Sequence, residues 1–214
     1  MEERVESKLL EIFQQAKSNH SDCLESATRT LLNSNDLERK IFESHDEALN
    51  YFKNHTQFGD LDRNKELIEN LLTNMQDKDK SCRVDMKRRI EKHYNEVLND
   101  CKIQYKKLMD MKMMTFNVIN YVAIWTTPVS EMHIDSKRTT LILFNSKLEV
   151  RESNLLDQFK EELQDFMDIE RVNYEAAFQK HRSDMATAAL TSGAAATGFT
   201  NLLGFLGDNA DIAQ

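Results

Sequence analysis

LDRNKELIENLLTNMQDKDKSCRVDMKRRIEKHYNEVLNDCKIQYKKL, residues 61–108, contains neither glycine nor proline. Its apolar residues Leu61, Ile68, Leu72, Met75, Cys82, Met86, Ile90, Tyr94, Val97, Cys101, Tyr105 and Leu108 recur mostly at three- and four-residue steps, the spacing that places side chains on one face of an α-helix. An unbroken helix would extend about 75 Å at 1.5 Å per residue. The polar run Gln76–Ser81 interrupts the series, so the expectation is two helices meeting there in an antiparallel pair.

Toward the N-terminus, Val5, Leu9, Ile12, Phe13 and Ala16 mark one apolar face, and Leu24, Ala27 and Leu31 continue it after a polar stretch around Ser18–Ser21. This reads as one amphipathic helix or two joined ones. The short polar side chains of Asn33–Asp36 are suited to cap the next helix, expected from about Leu37 to Asn54 with Leu37, Ile41, Ala48, Leu49 and Phe52 inward. Phe58-Gly59-Asp60 reads as a turn.

Toward the C-terminus, Met111–Trp125 and Thr139–Val150 are rich in β-branched and aromatic residues, so each fits either a buried helix or a strand. Pro128 ends the first. Ser153 should cap a further helix, with Leu156, Phe159, Leu163, Phe166, Ile169 or Met167, Val172 and Ala176 inward, running to about Asp184. The final stretch, MATAALTSGAAATGFTNLLGFLG at 185–207, has no charged residue and holds four of the five glycines.

Across 214 residues there are 5 glycines and 1 proline, too few for the turns of a many-stranded sandwich or barrel. Charged residues at 30% and a mean hydropathy of −0.61 suit solvated helices. The expected architecture is therefore all-α: an elongated multi-helix bundle with antiparallel long helices, and a small β-hairpin within 115–150 as a variant. Residues 1–184 would form the bundle domain and 185–214 an Ala/Gly/Thr-rich tail, uncharged over 185–207.

A net charge of −8 opposes phosphate binding. The basic residues of 87–112 (Lys87, Arg88, Arg89, Lys92, Lys102, Lys106, Lys107, Lys112) are interleaved with Asp85, Glu91, Glu96, Asp100 and Asp110, which reads as a paired, solvated helix face. Neither a P-loop nor a dinucleotide glycine triplet is present, so no nucleotide and no nucleic acid is expected. Cys23, Cys82 and Cys101 are odd in number and widely spaced, and the chain begins on charge, which suits free thiols in a reducing, cytoplasmic setting. His20 with Cys23, and His93 with Cys101, lack the further ligands zinc requires, so no metal or other cofactor is expected. Paired carboxylates such as Glu161 and Glu162 read as solvated, and no catalytic residue stands out. Met109, Met111, Met113 and Met114 suit either a core or an adaptable binding surface.

The tail has two readings of similar weight. Its small residues suit close packing inside a bundle, whereas Phe199, Leu202, Leu203, Phe205 and Leu206 would give an apolar face able to meet lipid.

The stretch Leu37–Cys82 resembles the helical region that follows the GTPase head in guanylate-binding proteins and atlastins. The likeness rests on His45, Ala48 and Phe52, on Phe58 and Asp60 at the break, and on the apolar helix through Leu67 and Leu71 toward Cys82. Val5–Ala16 would correspond to the helix leaving the GTPase head. The resemblance implies a stalk or middle domain that couples nucleotide-driven dimerisation to membrane tethering, fusion or host defence, with the uncharged run after Met185 matching the membrane-contacting end of atlastins. The GTPase motifs themselves are absent. The expected function is a non-enzymatic interaction and assembly module, with a protein partner or self-association, and a membrane-active helical protein as the alternative.

Overall fold

The computed structural model describes residues 2–57, 60–119 and 129–191, and throughout them the chain is helical apart from short connections. The helices are α1 (Glu2–Ala27), α2 (Ser34–His55), α3 (Leu61–Ile119), α4 (Val129–Lys147) and α5 (Ser153–Thr191). Two compact units divide the chain: Met1–Cys101 with Leu141–Glu162, and Lys102–Thr140 with Leu163–Gln214.

α1 is single, and α3 runs without a break through Gln76–Ser81, so the expected antiparallel pair meeting there does not form. The physical reason is local and tertiary together. Gln and Lys are good helix formers. Asp77 pairs with Lys80 one turn on at 3.5 Å, Lys78 reaches Glu25 of α1 at 3.5 Å, and the buried Asp79 finds hydrogen-bond partners on α1 and α2.

In the first unit, Leu9, Ile12, Phe13 and Ala16 of α1 pack with Ala48 and Phe52 of α2 and with Leu67, Leu71 and Met75 of α3. Contacts ascend along α1 and α3 together, from Glu6–Arg63 through His20–Asp79 to Thr28–Arg89, and descend along α2, from His45–Asp79 to Glu38–Arg83. α2 is capped by Asn33, whose side chain accepts from the Asp36 amide at 2.9 Å. α1 has no basic residue in its own last turn; Arg89 of α3 supplies one, donating to the carbonyls of Thr28 and Arg29. Tyr94 is fully buried against Phe159, and its hydroxyl donates to the Val150 carbonyl and accepts from the Glu152 amide, both at 3.1 Å. One side chain thereby holds the connection between α4 and α5.

In the second unit, Tyr105 and Met109 of α3, Val129, Met132, His133, Ser136 and Thr140 of α4, and Met167 and Phe178 of α5 are buried. Steps of three and four along α4 answer the strand question for Thr139–Val150: it is helix to Lys147, and the described residues of 115–150 contain no hairpin. Only Phe144 of the Leu141–Phe144 cluster is fully buried, while Ile142 is 61% exposed. Met111–Ile119 belongs to α3, and the rest of that ambiguous stretch, residues 120–128, lies outside the described residues.

α5 continues past Asp184 to Thr191. Its inner face follows Phe159, Leu163 and Met167, leaving Ile169 62% and Val172 55% exposed, a correction to the face read from sequence.

Candidate functional site

The apolar stripes of α1, α2 and α3 each run through a histidine or aspartate. On α1 the buried series 9, 12, 13, 16 continues to His20 before Leu24; on α2 His45 lies one turn beyond Ile41; on α3 the series 67, 71, 75 continues to Asp79. The helices bring these three residues together. His20 Nε2 lies 3.2 Å from Asp79 Oδ1, and His45 Nε2 lies 2.7 Å from Asp79 Oδ2. The imidazoles meet edge-on, with centroids 5.0 Å apart at 66°. His20 and Asp79 are each 2% exposed, whereas His45 is half-buried with its side chain 22% exposed.

Burial holds the His20 imidazole below its ordinary value of 6.5, the facing His45 adds to that, and the Asp79 carboxylate pulls the other way. A carboxylate can only accept, so each imidazole donates from Nε2 to it. Lys78 and Arg83, which flank Asp79 on α3, turn instead to Glu25 and Glu38. Among the described residues, this is the group of three whose ligand atoms converge closely enough to hold a metal ion, all within 4.8 Å of one another.

The second unit contains another polar cluster. The Tyr105 hydroxyl lies 2.8 Å from His133 Nδ1, and His133 Nε2 lies 3.2 Å from Asp168 Oδ1. Lys137 binds both carboxylate oxygens of Asp168, at 2.8 and 2.9 Å. With His133 neutral, Nε2 donates to Asp168, and the one Tyr105 hydroxyl proton is shared between Nδ1 and the Met167 carbonyl at 3.2 Å. Burial keeps the imidazole below its ordinary value, opposed by Asp168 and aided by Lys137 and Arg171. Desolvation likewise pushes the Tyr105 phenol up, with Asp168 and Glu170 adding to it. With Tyr105 and His133 buried, it resembles a core hydrogen-bond network.

The expected contact residues Phe199, Leu202, Leu203, Phe205 and Leu206 lie outside the described residues. The basic face behaves as read in part: Lys87 faces Glu91 at 3.9 Å, Arg88 faces Asp85 at 3.1 Å and Lys92 faces Glu96 at 3.7 Å along α3, whereas Arg89 reaches the end of α1, Lys106 pairs with Glu170 of α5 at 3.1 Å and Lys112 pairs with Asp135 of α4. Met109 is fully buried and Met114 is 69% exposed, so the methionine cluster divides between core and surface. His20 is not joined to Cys23 in the metal-capable group; its companions are His45 and Asp79. The sequence signal for them was a titratable residue falling in step with an apolar stripe: His20 in the polar stretch left open as one helix or two, His45 within α2, and Asp79 in the run read as a break. No described helix is long and apolar enough to cross a membrane. No protein-family model matches the chain, and neither a curated protein nor a solved structure does.

Proposed function

We propose that the chain is a non-enzymatic helical interaction and assembly module of the stalk type that its sequence resembles, a bundle of counter-running helices working with itself or a protein partner in a reducing compartment. The observation carrying this reading is the set of large apolar side chains exposed on the second unit. On α5, Ile169 and Val172 are 62% and 55% exposed and sit one turn apart; on α3, Ile103 and Met114 are 52% and 69% exposed and lie three turns apart on the same side. Solvated helix faces are ordinarily polar, and grouped apolar exposure marks contact surfaces. The net charge of −8 favours protein over nucleic acid as the partner.

The test compares the full chain with an Ile169→Glu/Val172→Glu variant by sedimentation velocity across concentration and by cross-linking in the native cell. Assembly or cross-linked partners lost in the variant, with helix content unchanged, support the reading. Identical behaviour of the two chains sinks it.

A second reading, contact with a membrane surface, is favoured by the 23 uncharged residues of 185–207, which α5 enters before Thr191. Liposome flotation of the full chain against a chain lacking 185–214 decides it. Flotation only by the full chain, abolished by Leu203→Asp, supports it; absence of flotation by both removes it.

A further inference from the structure

We propose that His20, His45 and Asp79 bind one divalent transition-metal ion of the zinc class, supplied by one residue from each of α1, α2 and α3.

Donor type comes first. Two imidazole nitrogens and one carboxylate oxygen form a set that suits zinc and its neighbours in the first transition row, and that leaves one position of a four-coordinate ion for water. Spacing comes second. Bonds of about 2.0–2.2 Å in tetrahedral geometry place neighbouring ligand atoms about 3.3 Å apart. His20 Nε2 and Asp79 Oδ1 are 3.2 Å apart, His45 Nε2 and Asp79 Oδ2 2.7 Å, and the whole set lies within 4.8 Å. The ion requires only a small opening of the His45 contact, on the side where this side chain is 22% exposed. That side is also the entry path and the place for the water ligand.

Charge comes third. Asp79 is 2% exposed, and a buried carboxylate is costly without a countercharge. Lys78 and Arg83, the cations nearest it on α3, are engaged by Glu25 and Glu38. A divalent ion supplies the missing positive charge, whereas the two imidazole hydrogen bonds satisfy the oxygens without it. On binding, each neutral imidazole coordinates through Nε2 and carries its proton on Nδ1, a tautomer change by exchange with solvent that releases no net proton. The ion then ties α1, α2 and α3 at one point, and because the unfolded chain does not assemble the three ligands, binding raises folding stability.

The experiment uses the full chain, stripped with chelator and dialysed, and Zn²⁺ or Co²⁺ alone as probe. Calorimetry should give one Zn²⁺ per chain, with a melting temperature higher on the order of 5 °C or more at a hundredfold excess over Kd. Co²⁺ should develop the visible absorption of a four-coordinate nitrogen and oxygen site. His45→Gln and Asp79→Asn should each weaken binding at least about tenfold, and His181→Gln, on an exposed position of α5, should leave it unchanged. Imidazole nitrogen resonances recorded on the unaltered chain should shift at Nε2 of His20 and His45 on adding Zn²⁺, a readout that stands even where a variant fails to fold. Absence of stoichiometric binding, equal binding by His45→Gln, or unmoved His20 and His45 resonances each overturns the assignment.

Discussion

Asp79 on α3 accepts a hydrogen bond from His45 on α2 at 2.7 Å, across 34 positions of sequence. It accepts a second from His20 on α1 at 3.2 Å, so one buried carboxylate satisfies two imidazoles from two other helices.

Asp79→Asn, measured in chelator, should therefore destabilise the chain by about 1–3 kcal/mol, because the amide nitrogen cannot accept and one imidazole donor is left buried without a partner. Urea unfolding at unchanged m-value checks this. A loss below about 0.5 kcal/mol would show that the cluster is open to water.

Lys80→Pro tests the continuity of α3. Lys80 is exposed, so little packing is lost, but proline inside a helix removes a backbone hydrogen bond and clashes with the preceding turn, costing about 3 kcal/mol or more. Were residues 76–81 a loop, the variant would unfold at nearly the same denaturant concentration as the parent.

Tyr94→Phe keeps the ring against Phe159 and removes the hydroxyl that bridges the Val150 carbonyl and the Glu152 amide. The expected cost is about 1–2 kcal/mol, with faster hydrogen exchange at the Glu152 amide. Unchanged exchange there would mean that Tyr94 does not hold this connection.

Stability should fall as pH drops below about 6.5. His133 faces Tyr105 on α3, Asp168 and Arg171 on α5 and Lys137 on its own helix, and burial depresses its folded pKa below the ordinary 6.5; that of His20 is also depressed. The unfolded chain therefore takes up protons first as pH falls, and stability gained above pH 6.5 is lost through the depressed folded values. In chelator, His133→Gln should reduce the dependence of the urea midpoint on pH below about 6.5, with the His20 share remaining. An identical slope in the variant would exclude His133 as a source.

All three cysteines are free, but they are not equally accessible. Desolvation raises the pKa of all three thiols, but Cys101 is fully buried whereas Cys23 and Cys82 are half-buried and reachable by reagent. Alkylation of the native chain followed by mass spectrometry should label Cys23 and Cys82 well before Cys101. Early labelling of Cys101 would show that α3 opens around it.

Periodicity and the scarcity of glycine and proline determined by themselves that the described chain is helical, and they located α1, α2 and the first residue of α3 closely, because a helix pattern is a property of neighbours three and four apart. The buried face at the start of α3 follows Leu67, Leu71 and Met75 and leaves Leu61 69% exposed, a correction to the series read from Leu61, Ile68 and Leu72. Composition also made the same-helix pairs of Lys87, Arg88 and Lys92 legible, but not the partners that Arg89, Lys106 and Lys112 find on other helices. What only tertiary structure decided is whether a polar interruption is a break or an interior. The runs at Ser18–Ser21 and Gln76–Ser81 look alike on paper to loops, yet His20 and Asp79 are buried there because each finds its hydrogen-bond partner on another helix, and no local pattern encodes a partner 59 residues away. The same dependence decided α4, where β-branched residues lie on a helix because Ser136, Thr140 and Phe144 face inward together, and α5, where Met167 took the inner face and Ile169 and Val172 were left exposed. Burial is set by which helices meet, and that is fixed by the whole chain's packing rather than by any one segment's spacing.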